Sequence, residues 1–140
     1  MDQNTPRQKI VVVEDNVDLA EIYSKRLEQS GYQCSVANDG IAALYIIQKE
    51  LPDLVLLDLM VPAIAGDEVL KRMRISEWGK NIPVLIISNL NEADAPAGLR
   101  DLGIVNYLVK VNLVGDQLDQ IVNQILKPQS ESAVQPDHVL

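Results

Sequence analysis

Apolar residues along this chain follow two alternating rhythms. Short unbroken runs, Ile10-Val11-Val12-Val13, Leu54-Val55-Leu56-Leu57 and Pro83-Val84-Leu85-Ile86-Ile87, have the length and branched composition of strands buried on both faces. Between such runs, apolar residues recur three and four apart, as helices require. The sets are Leu19, Ile22, Tyr23 and Leu27, then Ile41, Leu44, Tyr45 and Ile47, then Val69, Leu70 and Met73, and last Val114, Leu118, Ile121, Val122 and Ile125. Stop and entry signals flank them: Gly31 after the first, Asn38-Asp39-Gly40 before the second and Pro52 after it, Gly66 before the third, Pro128 after the last. With the weaker runs at 33–37 and 105–109, five strands are predicted near 9–13, 33–37, 54–57, 83–87 and 105–109. One interval is irregular. The segment Asn91 to Leu102 contains Pro96 and Gly98, the two worst helix formers, so a fourth helix there is expected to be short, late-starting or mobile.

Strands alternating with helices imply a parallel sheet covered on both faces. Five units in about 120 residues fit a doubly wound α/β fold with strand order 2-1-3-4-5, whose ligands bind at the C-terminal strand ends, near the switch between strands 1 and 3. The expected divisions are an N-terminal extension over 1–8, one domain over 9–127, and a flexible polar tail over 128–140.

Composition narrows the function. Twelve basic against 20 acidic residues give a net charge of −8, and no basic stripe suggests direct nucleic-acid binding. The first residues lack the apolar stretch of a signal peptide and no run approaches membrane-spanning length, so no membrane role and a cytoplasmic location are expected. Cys34 is the single cysteine; inside a strand-like stretch it reads as a small core residue.

Chemistry enters where the strands end. Asp58 closes a fully apolar run, and Glu14-Asp15 closes another. Parallel neighbours about 4.8 Å apart would gather these three carboxylates, at a repulsive cost per pair at 4 Å of about 1 kcal/mol in water and about 4 kcal/mol at an effective dielectric of 20. Folding alone does not account for that arrangement. A hard divalent cation does, since Mg²⁺ takes carboxylate and carbonyl oxygens and accompanies phosphate chemistry. Ser88 and Lys110 follow the fourth and fifth runs in equivalent places.

Together, the acidic pair Glu14-Asp15, the stretch Asp58-Leu59-Met60-Val61-Pro62 with Gly66 eight residues past the aspartate, Ser88, and Tyr107 three residues before Lys110 make the chain from about Lys9 to Lys127 resemble the receiver domain of two-component response regulators, a flavodoxin-like fold. The resemblance implies that Asp58 accepts a phosphoryl group from a sensor histidine kinase, a phosphotransfer protein or a small phosphodonor. It implies that Glu14, Asp15, Asp58 and the backbone carbonyl of Met60 face Mg²⁺, with Mn²⁺ as a substitute. Lys110 would bind the phosphoryl oxygens and Ser88 would hydrogen-bond to them. Tyr107 would then move inward behind Ser88, altering the surface of the fourth helix, fifth strand and fifth helix. A downstream protein, or a second copy of the chain, would read that surface. Such a chain catalyses only its own phosphorylation and dephosphorylation, and with no effector domain in view either a stand-alone regulator or a receiver cut from a longer chain is expected.

Blander readings accompany these: Lys110 as a surface lysine, Ser88 as a turn serine, Tyr107 as a half-exposed strand aromatic. Asp53 precedes its strand and reads as a turn residue; Asp67 and Glu68 favour a helix start; Trp78 reads as packing and His138 as tail. Val111 stands where receivers usually have proline, so the cis peptide common there is not expected. Three competing functions share parts of the pattern. An aspartyl-phosphate phosphatase would carry a second aspartate where Met60 stands. A flavodoxin-like cofactor carrier would be repelled by Glu14-Asp15-Asn16, and a receiver-like module that is never phosphorylated would not need all five polar positions.

Overall fold

The computed structural model of the chain describes residues 7–113 and 115–127. Most of the expected N-terminal extension, Val114, Pro128 and the tail with His138 lie outside the described residues. The strands are β1 (Lys9–Val13), β2 (Gln33–Ala37), β3 (Leu54–Leu57), β4 (Val84–Ser88) and β5 (Asn106–Val109), and the helices α1 (Val17–Gln29), α2 (Gly40–Glu50), α3 (Gly66–Arg74) and α4 (Gln117–Leu126). All strand pairs are parallel, in the order β2-β1-β3-β4-β5.

Alternation along the strands separates two cores. Val11, Val13, Val55, Leu57, Val84 and Ile86 face α2 and α3, with Ala43, Ile47, Val69, Leu70 and Met73 against them. Ile10, Val12, Leu54, Leu56, Leu85 and Ile87 face the other way, toward Leu27 of α1 and Leu118 and Val122 of α4. Because side chains alternate with period two, a one-residue slip would exchange the two sets, and each large side chain left exposed would cost about 1.5–3 kcal/mol. Registry is thereby fixed at the strand ends. Val13 pairs with both Ala37 and Leu57, and the ladder runs one residue further through Glu14 N–H to Ala37 O (3.0 Å) and Asp58 N–H to Val13 O (3.1 Å).

Local chemistry sets the helix starts. Asn16 Oδ1 accepts from Leu19 N–H (3.0 Å) and Asp39 Oδ1 from Ala42 N–H (2.8 Å), satisfying amides that the first turns leave unpaired. Asp67 and Glu68 lie in the first turn of α3. At the N-terminal edge of the sheet, Asp53 Oδ2 accepts from Lys9 N–H (2.8 Å), Gln8 Nε2 donates to Leu126 O (3.4 Å) and Lys127 Nζ to Ser30 O (3.1 Å). Trp78 packs against the α2/α3 core, as expected. Among the described residues no peptide bond is cis.

The expected fourth helix is not an α-helix. Residues 91–102 form two 3₁₀ turns, Glu92–Asp94 and Arg100–Leu102. Pro96 lacks an amide donor, and Gly98 takes a positive φ of 87°, so an α-helical ladder cannot run through them. The fourth strand also ends one residue later than its apolar run, which makes Ser88 the last paired residue, opposite Val109.

Candidate functional site

The first residue past β1 and the first past β3 are both carboxylates, and both are buried. Glu14 is 2% exposed and Asp58 5%. Two buried anions at adjoining strand ends need a cation, and Lys110, the first residue past β5, supplies one. Its Nζ lies 2.6 Å from Glu14 Oε1 and 2.7 Å from Asp58 Oδ2. The remaining oxygens are bound by backbone: Asn16 N–H donates to Glu14 Oε2 (3.0 Å) and Met60 N–H to Asp58 Oδ1 (3.0 Å). Asn38 Nδ2 donates to the Glu14 carbonyl (2.9 Å).

Burial pushes the Glu14 carboxyl above its ordinary range, opposed by its bonds to Lys110 and Asn16. Burial acts to lower Lys110, yet its bonds to Asp58 and Glu14 outweigh it and hold the ammonium above its ordinary range. Asp15 is exposed; one carboxylate oxygen from each of Glu14, Asp15 and Asp58 lies within 4.8 Å of the others. This all-oxygen set fits a hard divalent cation better than a thiolate- or imidazole-seeking metal.

The loop after Asp58 is held closely. A Cβ on Gly66 would collide with the Asp58 carbonyl oxygen and come within 2.7 Å of Leu59 Cα. Gly40, the first residue of α2, donates its N–H to Pro62 O (3.0 Å). Met60 stays 57% exposed at the site's rim. A groove of about 590 Å³ leads from Glu14, Asp58 and Lys110 outward between α1 and the β5–α4 connection, past Tyr23 and Leu113.

Ser88 is fully buried, and its Oγ accepts from Leu90 N–H (3.3 Å). Tyr107 does not fit the half-exposed reading. It is 8% exposed, with its hydroxyl already donating to Leu90 O (2.8 Å), so it starts inside rather than half-exposed. Of the bland readings, a surface lysine does not describe Lys110, whose side chain is 12% exposed. Asn38 is legible in the sequence only as part of the turn before the second helix, since its bond is made to a backbone atom, and Asn16 only as an acidic-loop neighbour. Cys34, packed against the α1/α4 core, has its thiol pushed up to about 12 by burial, as an inert residue should.

Residues 10–125 match the family model described as the response regulator receiver domain. The chain is 36% identical over 103 residues to sporulation initiation phosphotransferase F of Bacillus subtilis, covering 74% of this chain and 82% of that protein. Seven other curated relatives, several named as transcriptional regulators, are longer, and the chain spans less than half the length of each. Among solved structures, the receiver domain of a Francisella response regulator is 30% identical with a TM-score of 0.76, over 87% of this chain and 98% of that one. The receiver domain of a Pseudomonas aeruginosa sensor histidine kinase, whose structure has a magnesium ion coordinated in the active-site cleft, is 25% identical with a TM-score of 0.71, over 85% and 97%.

Proposed function

Because this chain belongs to the response regulator receiver family, we propose that it is a phosphorylation-activated signalling switch with the Asp58 carboxylate as phosphoacceptor. The observation that carries the assignment is the buried Asp58 side chain, bound by Met60 N–H on one oxygen and by Lys110 on the other. An Oδ–P bond forms as the P–N bond of a phosphohistidine donor breaks, its electron pair returning to the imidazole.

A carboxylate is a poor nucleophile toward an anionic phosphoryl group, and charge compensation is the main service the site can offer. Glu14, Asp15, Asp58 and the Met60 carbonyl would hold Mg²⁺, which when bound would supply a Lewis-acidic charge that offsets the repulsion between the carboxylate and an anionic phosphoryl group. Lys110 releases the Asp58 oxygen and transfers its ammonium to the phosphoryl oxygens. Ser88 turns its hydroxyl proton toward them. That bond exists only with phosphate present, so it favours one arrangement of the segment after β4. The donor is a sensor histidine kinase or phosphotransfer protein, and the reader is a protein that meets the face built from 89–109 and α4. No helix among the described residues is long and apolar enough to cross a membrane, and the switch is proposed to act in the cytoplasm.

The test is incubation with a small phosphodonor and Mg²⁺, followed by intact-mass measurement and mapping. One phosphoryl group should add, on Asp58, and neither Asp58→Asn nor wild type in chelator should gain it. Equal labelling of Asp58→Asn would overturn the assignment.

A further inference from the structure

The segment between β4 and β5 is two halves with different anchorage. Its second half is fixed. Leu99 is 4% exposed, and Arg74, at the end of α3, donates from Nε to Leu102 O (2.6 Å), from Nη2 to Gly103 O (3.4 Å) and from Nη1 to Gly79 O (2.8 Å). Val105 N–H then joins Val84 O (2.8 Å), entering the sheet. The first half, Asn89 to Ala97, is almost wholly exposed, with only Leu90 and Ala95 half-buried. Gly98 divides the halves with a φ of 87° and open space where a Cβ would stand, which leaves its backbone free to turn.

Side-chain bonds tie the first half down at two points. Near its start, the Tyr107 hydroxyl holds Leu90 O, and Ser88 Oγ holds Leu90 N–H. Further on, the Arg100 guanidinium grips Glu92 in a two-point bond, Nε to Oε2 at 2.6 Å and Nη2 to Oε1 at 2.9 Å. This pair joins the exposed first half directly to the anchored half across Gly98, and its fork geometry is the strongest an exposed ion pair can adopt.

We propose that Glu92–Arg100 is a latch holding residues 89–97 against the anchored half, that Gly98 is the hinge, and that phosphorylation must work against the latch. The direction follows from Ser88. With the latch closed, Ser88 Oγ is engaged with Leu90 and Lys110 is bound to the Asp58 carboxylate itself; drawing Ser88 toward a phosphoryl group loosens Leu90, the residue from which the latched half departs. The inference rests on the proposed role of Asp58, and by reciprocity a latch opposed by phosphate must oppose phosphate equally.

Amide hydrogen exchange and beryllofluoride titration, with Mg²⁺ present in the titration, test this on the full chain. Arg100→Gln should speed exchange over 89–98 by about two- to five-fold without the mimic and tighten apparent beryllofluoride affinity by the same factor. High salt should bring wild type toward the variant. The charge exchange Glu92→Arg with Arg100→Glu should restore wild-type behaviour. If wild type responds to beryllofluoride but Arg100→Gln matches it in exchange and affinity, or the charge exchange restores nothing, the latch is wrong and the Asp58 assignment stands. If wild type shows no response around Asp58, that assignment fails and the latch's coupling falls with it.

Discussion

Replacing Lys110 with methionine keeps most of the stem and removes the charge that Glu14 and Asp58 share. In the native site the ammonium lies 2.6 and 2.7 Å from two carboxylates whose side chains are 3% and 6% exposed. Deleting one partner of a buried ion pair costs about 3–5 kcal/mol; the adjoining groove admits water, which favours the lower end, about 3 kcal/mol. For a domain this size that corresponds to a fall in melting temperature of about 10–18 °C. Divalent cation should recover part of it, since a ligand at a hundred times its Kd stabilises by about 2.7 kcal/mol. Lysine and metal compete for the same oxygens, so the variant should bind Mg²⁺ more tightly than wild type and gain more from it. The pH dependence has a definite sign. Glu14 already has a raised pKa, and without Lys110 it rises further. The penalty for a carboxylate raised in this way is fully present above its folded pKa and disappears as pH falls to its ordinary value of 4.5, so the variant's deficit should shrink between pH 7 and 4.5. Urea and thermal unfolding in chelator, in excess Mg²⁺ and across that pH range measure all of this. A variant within 1 kcal/mol of wild type in chelator, with no larger response to Mg²⁺, would refute the charge accounting given for the site.

Asp15→Asn should leave the metal-free fold unchanged or up to about 1 kcal/mol more stable, because it removes repulsion from an exposed carboxylate, while weakening Mg²⁺ binding by titration; strong destabilisation in chelator would show the three groups are not clustered. Gly66→Ala should destabilise by about 3 kcal/mol or more, since the methyl meets backbone rather than a movable side chain; unchanged urea unfolding would contradict the close approach. Cys34, its thiol pushed up to about 12, should resist iodoacetamide at pH 8 until urea is added. Because the folded state holds that proton more tightly, Cys34 should also erode stability as pH rises from about 8.5, the unfolded thiol value, toward its folded one, an erosion absent in Cys34→Ala.

Much of the fold was legible because the strand runs are unbroken: Leu54 to Leu57 could be little else, and the acid after it marked the site. Glu14, Asp58 and Lys110 were readable for the same reason, each being the first polar residue past a strand. What the sequence could not convey is how they meet. Nothing in the spacing of Lys110 says that its ammonium bridges both Glu14 and Asp58, because that depends on strand order across 52 residues. The burial of Tyr107 is not legible either, since strand alternation gives a side and not a partner such as Leu90 O. The segment with Pro96 and Gly98 was correctly singled out as a poor helix, but propensity alone gives no information on what replaces one. The second of the two 3₁₀ turns, Arg100–Leu102, owes its placement to the buried Leu99 and to Arg74, which are tertiary contacts.

The bond from Gln8 to Leu126 has a consequence for anyone who attaches something to this chain. It brings the first and last parts of the described chain together at the sheet's N-terminal edge, while Asp58 stands at the other edge, a strand of about five residues or roughly 17 Å away. A tag or fluorescent reporter joined directly at residue 8 or residue 127 would begin on the side remote from the carboxylates. The same proximity of Gln8 and Leu126 makes residues 8 and 127 a natural splice point for circular permutation. Cutting the chain instead within 94–98 and closing residues 8 to 127 with a short linker would convert the segment after β4 into two free ends, so that the sheet could be kept while the moving part was separated from it.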